Sequence, residues 1–387
     1  MSDGAPDWAQ WSADGRHEDL TVGVEEEVML LDPEDWALAN RVEEVLPSLP
    51  EEIREHVTLE THTSALELAT GVHARVSAAI EELRHLRVGL EYAARLVGLR
   101  LAVAATHPTA VWHSTEVSTR RRYRALHDTM RELARREPTF ALHVHLGVHD
   151  PDEAIGLANR LRVHAPLLLA LSANSPFWQG RATGILSTRT PLFQAFPRVG
   201  LPRPFRDYAE YVEAVDCLVR TGAIPDPTFL WWDVRPQPRL GTVELRIMDA
   251  QTRLADAAGL VALVQSLALL ELNEGYASER AIHALEALEE NRFLAARDGA
   301  HGCLIDVDAD ALVPVSELTA ALVERCRPHA DALGCGAELE SVMGMLETQG
   351  ADRQLDLAEG LELPDVVETL ARSFAEEVRR VPAPSPG

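Results

Sequence analysis

Apolar and polar positions along the chain follow a period of two in some stretches and of about 3.6 in others, the signatures of half-buried strands and of amphipathic helices. Residues 20–31 (LTVGVEEEVMLL) put Val22, Val24, Val28 and Leu30 on one face of an extended segment and Glu25 and Glu27 on the other, which predicts a strand. Glu26 falls on the apolar face, and the alternation gives no reason for it. Residues 74–98 read as a long helix, 100–106 (RLAVAAT) as a short apolar strand and 118–136 as a basic amphipathic helix. Strand character returns at 140–148 (FALHVHLGV), followed by a helix over 152–173. The Pro- and Gly-rich stretch 175–206 reads as one long loop, a length that usually carries function. A helix over 207–222 leads to strands near 228–235 and 241–248, and 254–298 and 315–380 are mostly helical. Strands and helices mix without a regular βαβ order, so the predicted class is α+β with an antiparallel sheet.

Residues 1–19 and 381–387 (VPAPSPG) are rich in Pro, Gly, Ser or charge and read as a flexible leader and a disordered tail. Nothing between them is long enough to be a linker, so 20–380 is expected to form a single domain.

Composition narrows the chemistry. The chain has 387 residues, 46% of them apolar, enough for a large core. Its 61 acidic and 36 basic side chains give a formal charge of -25, which argues against nucleic acid and anionic membranes as partners. A nucleotide escorted by divalent cations stays compatible with that charge. There is no lysine anywhere in the sequence, so a Walker loop and Schiff-base chemistry are both excluded. Any ATP must be handled by metals and arginines. The four cysteines lack C-x-x-C spacing and read as reduced thiols. The N-terminus has no apolar signal core, and no apolar run reaches the roughly 18 residues that span a bilayer. These features place the protein in the cytoplasm.

Three strand-like segments carry ionisable pairs at spacing i, i+2: Glu25 and Glu27, His143 and His145, Glu244 and Arg246. That spacing puts each pair on one strand face. Each pair brackets an apolar or acidic residue, and together they suggest one sheet whose polar face lines a cavity, to which residues 57–70 add Glu60 and Glu67. Converging carboxylates and imidazoles repel one another unless cations lie between them, and an oxygen-rich set with no sulfur selects magnesium or manganese over zinc. Singly, each residue reads more plainly as a surface glutamate or a satisfied histidine. So do His62, His73, His107, His113 and His149, with His107, before Pro108, the strongest exception.

The strings GVEEE, LETHTSALELAT, ATHP, LHVHLGV, LSANSPFWQG, WWDVRPQPRLGTVELRIMD and NRF, in this order, resemble the type 2 glutamate–cysteine ligase (carboxylate–amine ligase) family over nearly the whole chain. Ala105 stands where that family usually has glycine. The resemblance implies a fold similar to the catalytic domain of glutamine synthetase, with a funnel-shaped site on an antiparallel sheet covered by helices. It implies that Glu27, Glu60 and Glu67 hold one Mg2+ (Mn2+ in its place), that Glu25, His143 and Glu244 hold a second one bridging ATP phosphates, and that His145 contacts nucleotide or phosphate. It also implies that Arg246 lies at the transferred phosphoryl group, that Arg235 lies near nucleotide or substrate, and that the protein is a homodimer. The implied reaction joins L-glutamate to an amino acid amine, cysteine first, through γ-glutamyl phosphate, with the 175–206 loop as a lid hinged at Gly180 and Gly184. The rival readings are a ligase for another amine, a zinc hydrolase built on His143, His145 and Glu60, and a non-catalytic nucleotide-binding protein.

Overall fold

The strand predicted from Val22 onward, β1 (Val22–Leu31), lies at the centre of a seven-stranded sheet, and its two faces differ in the way the alternation requires. The computed structural model describes residues 5–12, 20–118, 129–131, 133 and 138–379. The other strands are β2 (Val57–Leu59), β3 (Ala65–Ala69), β4 (Arg100–Ala102), β5 (Ala141–Gly147), β6 (Val234–Gln237) and β7 (Thr242–Asp249). Their order is β6-β7-β5-β1-β3-β2, with β4 paired to β1, and every pairing is antiparallel.

One face is apolar and carries the helices. Val22, Val24, Val28 and Leu30 of β1, Leu142, Val144 and Leu146 of β5, and Val243 and Leu245 of β7 are all buried there. Helix α1 (Val76–Leu96) packs on β1 and β3, α2 (Pro151–Ser172) on β6 and β7, and α3 (Leu254–Glu274) on β5 and β1. The C-terminal helix α4 (Leu363–Arg379) packs on β4 and α1. By length and composition α3 could cross a membrane, against the sequence expectation, yet it is buried almost throughout as the central core helix.

Glu26 now has its reason. It points into the helical layer and meets Arg87 of α1, both side chains fully buried, with Arg87 Nε 2.7 Å from Glu26 Oε2. The same guanidinium donates to the carbonyls of Gln251 and Thr252, pairs with Glu377 of α4 at 3.0 Å, and lies 5.1 Å from the centroid of the Phe374 ring. The charge survives on a core face because its carboxylate is paired and the guanidinium's other donors find carbonyls and a second carboxylate.

The boundaries differ from expectation in several places. The strand expected over 100–106 is ordered as such only at Arg100–Ala102. The mostly helical reading of 254–298 and of 315–380 holds over the described residues, and an unforeseen hairpin, Cys303–Asp306 with Ala311–Pro314, separates the two. Most of the helix expected over 118–136, and the whole 381–387 tail, lie outside the described residues. The leader is a correction in part. Residues 5–12 are not loose: Trp8 is buried against Phe205 and Tyr211, because two tryptophans supply apolar area that the segment's charge and glycines conceal.

Candidate active site

The polar face of the sheet gathers the three ionisable pairs through register alone. Across β1 and β5, Glu25 stands opposite His143; across β7 and β5, Glu244 stands opposite His145; across β6 and β7, Arg235 stands opposite Glu244; and across β1 and β3, Glu27 stands opposite Glu67. Directly opposed residues in antiparallel strands have their side chains about 5 Å apart on one face. A one-residue slip would turn the whole set into the helical layer. A register shift after Leu245 interrupts the β7 ladder beside Arg246.

These side chains line a funnel of about 470 Å³ together with Glu60, Phe229, Trp231 and Gln237. His143 Nδ1 is 3.1 Å from one oxygen of Glu25, and His145 Nε2 is 3.2 Å from the other, while His145 Nδ1 is 3.0 Å from Thr242 Oγ1. Arg235 Nε donates to Glu244 at 2.7 Å, and Gln237 and Arg246 also donate to that carboxylate. Glu27 accepts the Ala141 backbone N–H at 2.7 Å, and Glu67 accepts the Thr58 hydroxyl at 2.9 Å.

The carboxylates divide into two electrostatic kinds. Burial alone would raise Glu25, but His145 and His143 outweigh it and hold it far below the usual range. Burial likewise opposes the ionisation of Glu244, and Arg235 and Arg246 override it. For Glu27 and Glu67 the opposing pulls, Arg189 and Arg246 on the first and the Thr58 hydroxyl on the second, are too weak to win. Burial and then the charge of Glu60 push Glu27 up to about 8, and burial, Glu25 and Glu60 push Glu67 well above its ordinary value. Burial and Arg246 press His143 down to about 4, whereas for His145 the pull of Glu25 and Glu244 wins over burial and raises it.

Two groups bring ligand atoms within 4.8 Å of one another: Glu25, His143 and Glu244, and Glu27, Glu67 and His143. The first is the trio named from the sequence. In the second, His143 occupies the place expected for Glu60, which instead lines the same funnel and acts on Glu27 and Glu67 through its charge. Buried His143 Nε2 has no hydrogen-bond partner among the described residues. A donor set of carboxylate oxygens with an imidazole, two of its carboxylates held back from ionising by burial and by neighbouring carboxylates, fits hard divalent cations such as Mg2+ or Mn2+.

Several motif residues that sequence reasoning left without a role turn out to build the walls. Asp249, the last residue of the TVELRIMD run, accepts the Asn174 backbone N–H at 2.9 Å and the hydroxyls of Ser175 and Ser187 at 2.8 and 2.9 Å. Asp233 of the WWDVRP string pairs with Arg292 of NRF at 2.7 Å. The 175–206 stretch is therefore tied down at intervals, and it contains the helix Arg189–Phe193 and short strand pairings. Gly180 and Gly184 have φ of +77° and +74°, as turns require. His107 proves structural: its ring meets the Trp36 carbonyl at 2.9 Å and caps the N–H groups of Thr109 and Ala110. The signal for these roles, buried acids within otherwise apolar strings, was present but unpaired in one dimension.

The architecture is that of a carboxylate–amine ligase. It superposes on the glutamate–cysteine ligase of Francisella tularensis, solved in complex with AMP, with a TM-score of 0.72 over 95% of this chain and 91% of that one at 13% identity. It also superposes on the bifunctional glutathione synthetase of Pasteurella multocida, with a TM-score of 0.69 over 94% of this chain and 53% of that one at 14% identity. Sequence sets the family more narrowly. Residues 21–378 match glutamate–cysteine ligase family 2 (GCS2), and the chain belongs to that family. It is 43% identical over 340 residues to "Putative glutamate–cysteine ligase 2-1" of Rubrobacter xylanophilus, covering 88% of this chain and 90% of that one. It is 40% identical to "Putative glutamate–cysteine ligase 2" of Sorangium cellulosum, covering 87% and 91%.

Proposed function

We propose that this enzyme is an ATP-dependent glutamate–cysteine ligase, activating the γ-carboxylate of L-glutamate as γ-glutamyl phosphate and passing it to the amine of L-cysteine. The observation that carries this reading is the single sheet face on which Glu25, His143 and Glu244 adjoin Glu27 and Glu67 with Arg235 and Arg246 at their flank. A carboxylate is a poor acylating agent at neutral pH, and phosphorylation makes it a good one. Glu25, His143 and Glu244 would hold one divalent cation, and Glu27 and Glu67, with Glu60 beside them, a second. Bound there, such cations neutralise charge on the transferring phosphoryl group. Arg246 offers a planar fork to the same oxygens, while Arg235, held between Glu244 and the Leu230 carbonyl, keeps Glu244 ionised and fixed. Expulsion of water by the tied-down walls protects the acyl phosphate from hydrolysis.

The test is phosphate release with ATP, Mg2+ and glutamate, measured as kcat/KM for cysteine, 2-aminobutyrate, alanine and ammonia. A thiol-sized pocket separates cysteine from its closest analogues by only about 1–3 kcal/mol, so 2-aminobutyrate is expected to work at reduced efficiency. If ammonia or an unrelated amine is preferred, cysteine is the wrong acceptor. If no amine stimulates phosphate release in the presence of glutamate, the glutamate assignment fails too. Full activity without nucleotide would favour a hydrolase.

A further inference from the structure

The funnel opens into two side cavities of unequal size. Beyond Glu27 and His143 lies one of about 110 Å³, walled by Phe193, Phe196 and Trp231. Beyond Glu25 and His145 lies one of about 390 Å³. Its floor is made of small residues on three adjacent strands: Gly23 of β1, Gly147 of β5 and Thr242 of β7. Its walls are the chain following β3 and the turn between β6 and β7, and each contributes a large exposed apolar side chain, Val72 at 53% and Leu240 at 59% exposure. Two apolar side chains left in water beside a floor of small residues suit a flat, partly apolar ring with a polar tail running toward the carboxylates. The smaller cavity lacks the room for such a group.

The third wall comes from outside the family-matched region, which begins at residue 21. Ser12 lines the larger cavity. The segment that carries it is fastened along its length: Trp8 Nε1 donates to Asp216 at 3.2 Å, the Ala9 carbonyl accepts the Tyr208 hydroxyl at 2.8 Å, and Trp11 Nε1 donates to the Val148 carbonyl at 2.9 Å. The Ser12 backbone N–H donates to the Pro238 carbonyl at 2.8 Å. The segment crosses so close to the β6–β7 turn that a Cβ at Gly241 would lie 2.2 Å from the Ser12 carbonyl oxygen. Gly241, at φ +64°, is thus needed twice, for its turn and for this crossing.

We infer that residues 5–12 are a strap that closes the nucleoside end of the ATP site, with Val72 and Leu240 flanking the base and Ser12 walling the pocket. The strap holds the turn that carries Arg239 and Leu240 against the cavity, so nucleotide affinity depends on it, whereas Ser12 lines neither the central funnel nor the smaller cavity beside Glu27. This assignment rests on the ATP-dependent reading given above, and direct binding separates the two.

The measurement is calorimetric titration of a non-hydrolysable ATP analogue with Mg2+ into the full chain, into Trp11→Ala and into a chain lacking residues 2–12, with thermal unfolding run in parallel. Trp11→Ala, which retains the Trp8 anchor, decides the matter if the deletion fails to fold. The expected result is a nucleotide Kd raised about ten-fold or more, which is about 1.4 kcal/mol, with the KM for ATP following it and the KM for glutamate unchanged. Equal nucleotide affinity in folded Trp11→Ala and wild type overturns the strap and leaves the ligase reading standing. A wild-type chain that binds no nucleotide overturns both.

Discussion

Replacing Glu27 by Gln should make the metal-free protein more stable while abolishing its activity. In the folded chain Glu27 is buried beside Glu60, and its carboxyl is raised from 4.5 to about 8. An acid whose folded value is raised contributes stability that is full below about 4.5 and lost as the pH climbs toward 8. Integrating between those two values gives a destabilisation of about 1 kcal/mol at pH 5 and about 3 kcal/mol at pH 7, relative to a group that stays neutral. Gln is such a group, and its side-chain carbonyl can keep the 2.7 Å bond from the Ala141 N–H. Denaturant unfolding in chelator at pH 5, 6 and 7 should therefore show the variant gaining on wild type with pH, up to about 3 kcal/mol. Excess Mg2+ should then stabilise wild type far more than the variant, because the cation binds the folded carboxylate that Gln lacks. A variant no more stable than wild type in chelator at pH 7, or one that retains full ligase activity, would refute the reasoning.

Other outcomes follow from the same geometry. Arg246→Lys keeps the charge but loses the fork, and should lower kcat by about two orders of magnitude, about 3 kcal/mol of transition-state stabilisation; wild-type turnover would make Arg246 structural. At pH 7 Glu27, raised to about 8, carries a proton in the metal-free chain, so Mg2+ uptake should release that proton, read as a dependence of the binding heat on buffer ionisation enthalpy. A heat independent of buffer would rule this out. Arg87→Met strands Glu26 in the core and should cost about 3–5 kcal/mol in denaturant unfolding, with Arg87→Met plus Glu26→Leu recovering most of it; a single variant as stable as wild type would show that the pair contributes little.

Much of this site could be read in one dimension because strand geometry is short-ranged. The spacing of Glu25 and Glu27, or of His143 and His145, fixes a shared face without knowledge of any partner strand, and the alternating apolar residues on either side, such as Val24, Val28 and Val144, say which face is dry. Register could not be read that way. Nothing local states that Glu25 stands opposite His143 and reaches His145 as well, or that His143 reaches the Glu27–Glu67 pair while Glu60 stays outside it. Strands β2 and β3 are too short for periodicity to mark them. Glu26 was visible as a fault in the pattern, but its explanation lies at Arg87 and Glu377, brought near only by the packing of helices. The same limit hid Asp233 and Asp249, whose partners Arg292, Ser175 and Ser187 lie 59, 74 and 62 residues away. The leader was misjudged for another reason: composition averages over a segment, whereas two tryptophans are enough to dock one.

The shared grip on Arg87 has a bearing on biosynthesis. A ribosome that has translated through residue 360 has already made every strand of the sheet and every side chain of the cleft, but neither Phe374 nor Glu377 has emerged. Until they do, a guanidinium under β1 has one carboxylate where it needs two, and β4 lacks the helix that covers it. Maturation of the cleft is thereby deferred until residues 374–377 have left the ribosome and docked. A chain truncated before Phe374 would feel the loss at Glu25 and Glu27 from the opposite side of the sheet.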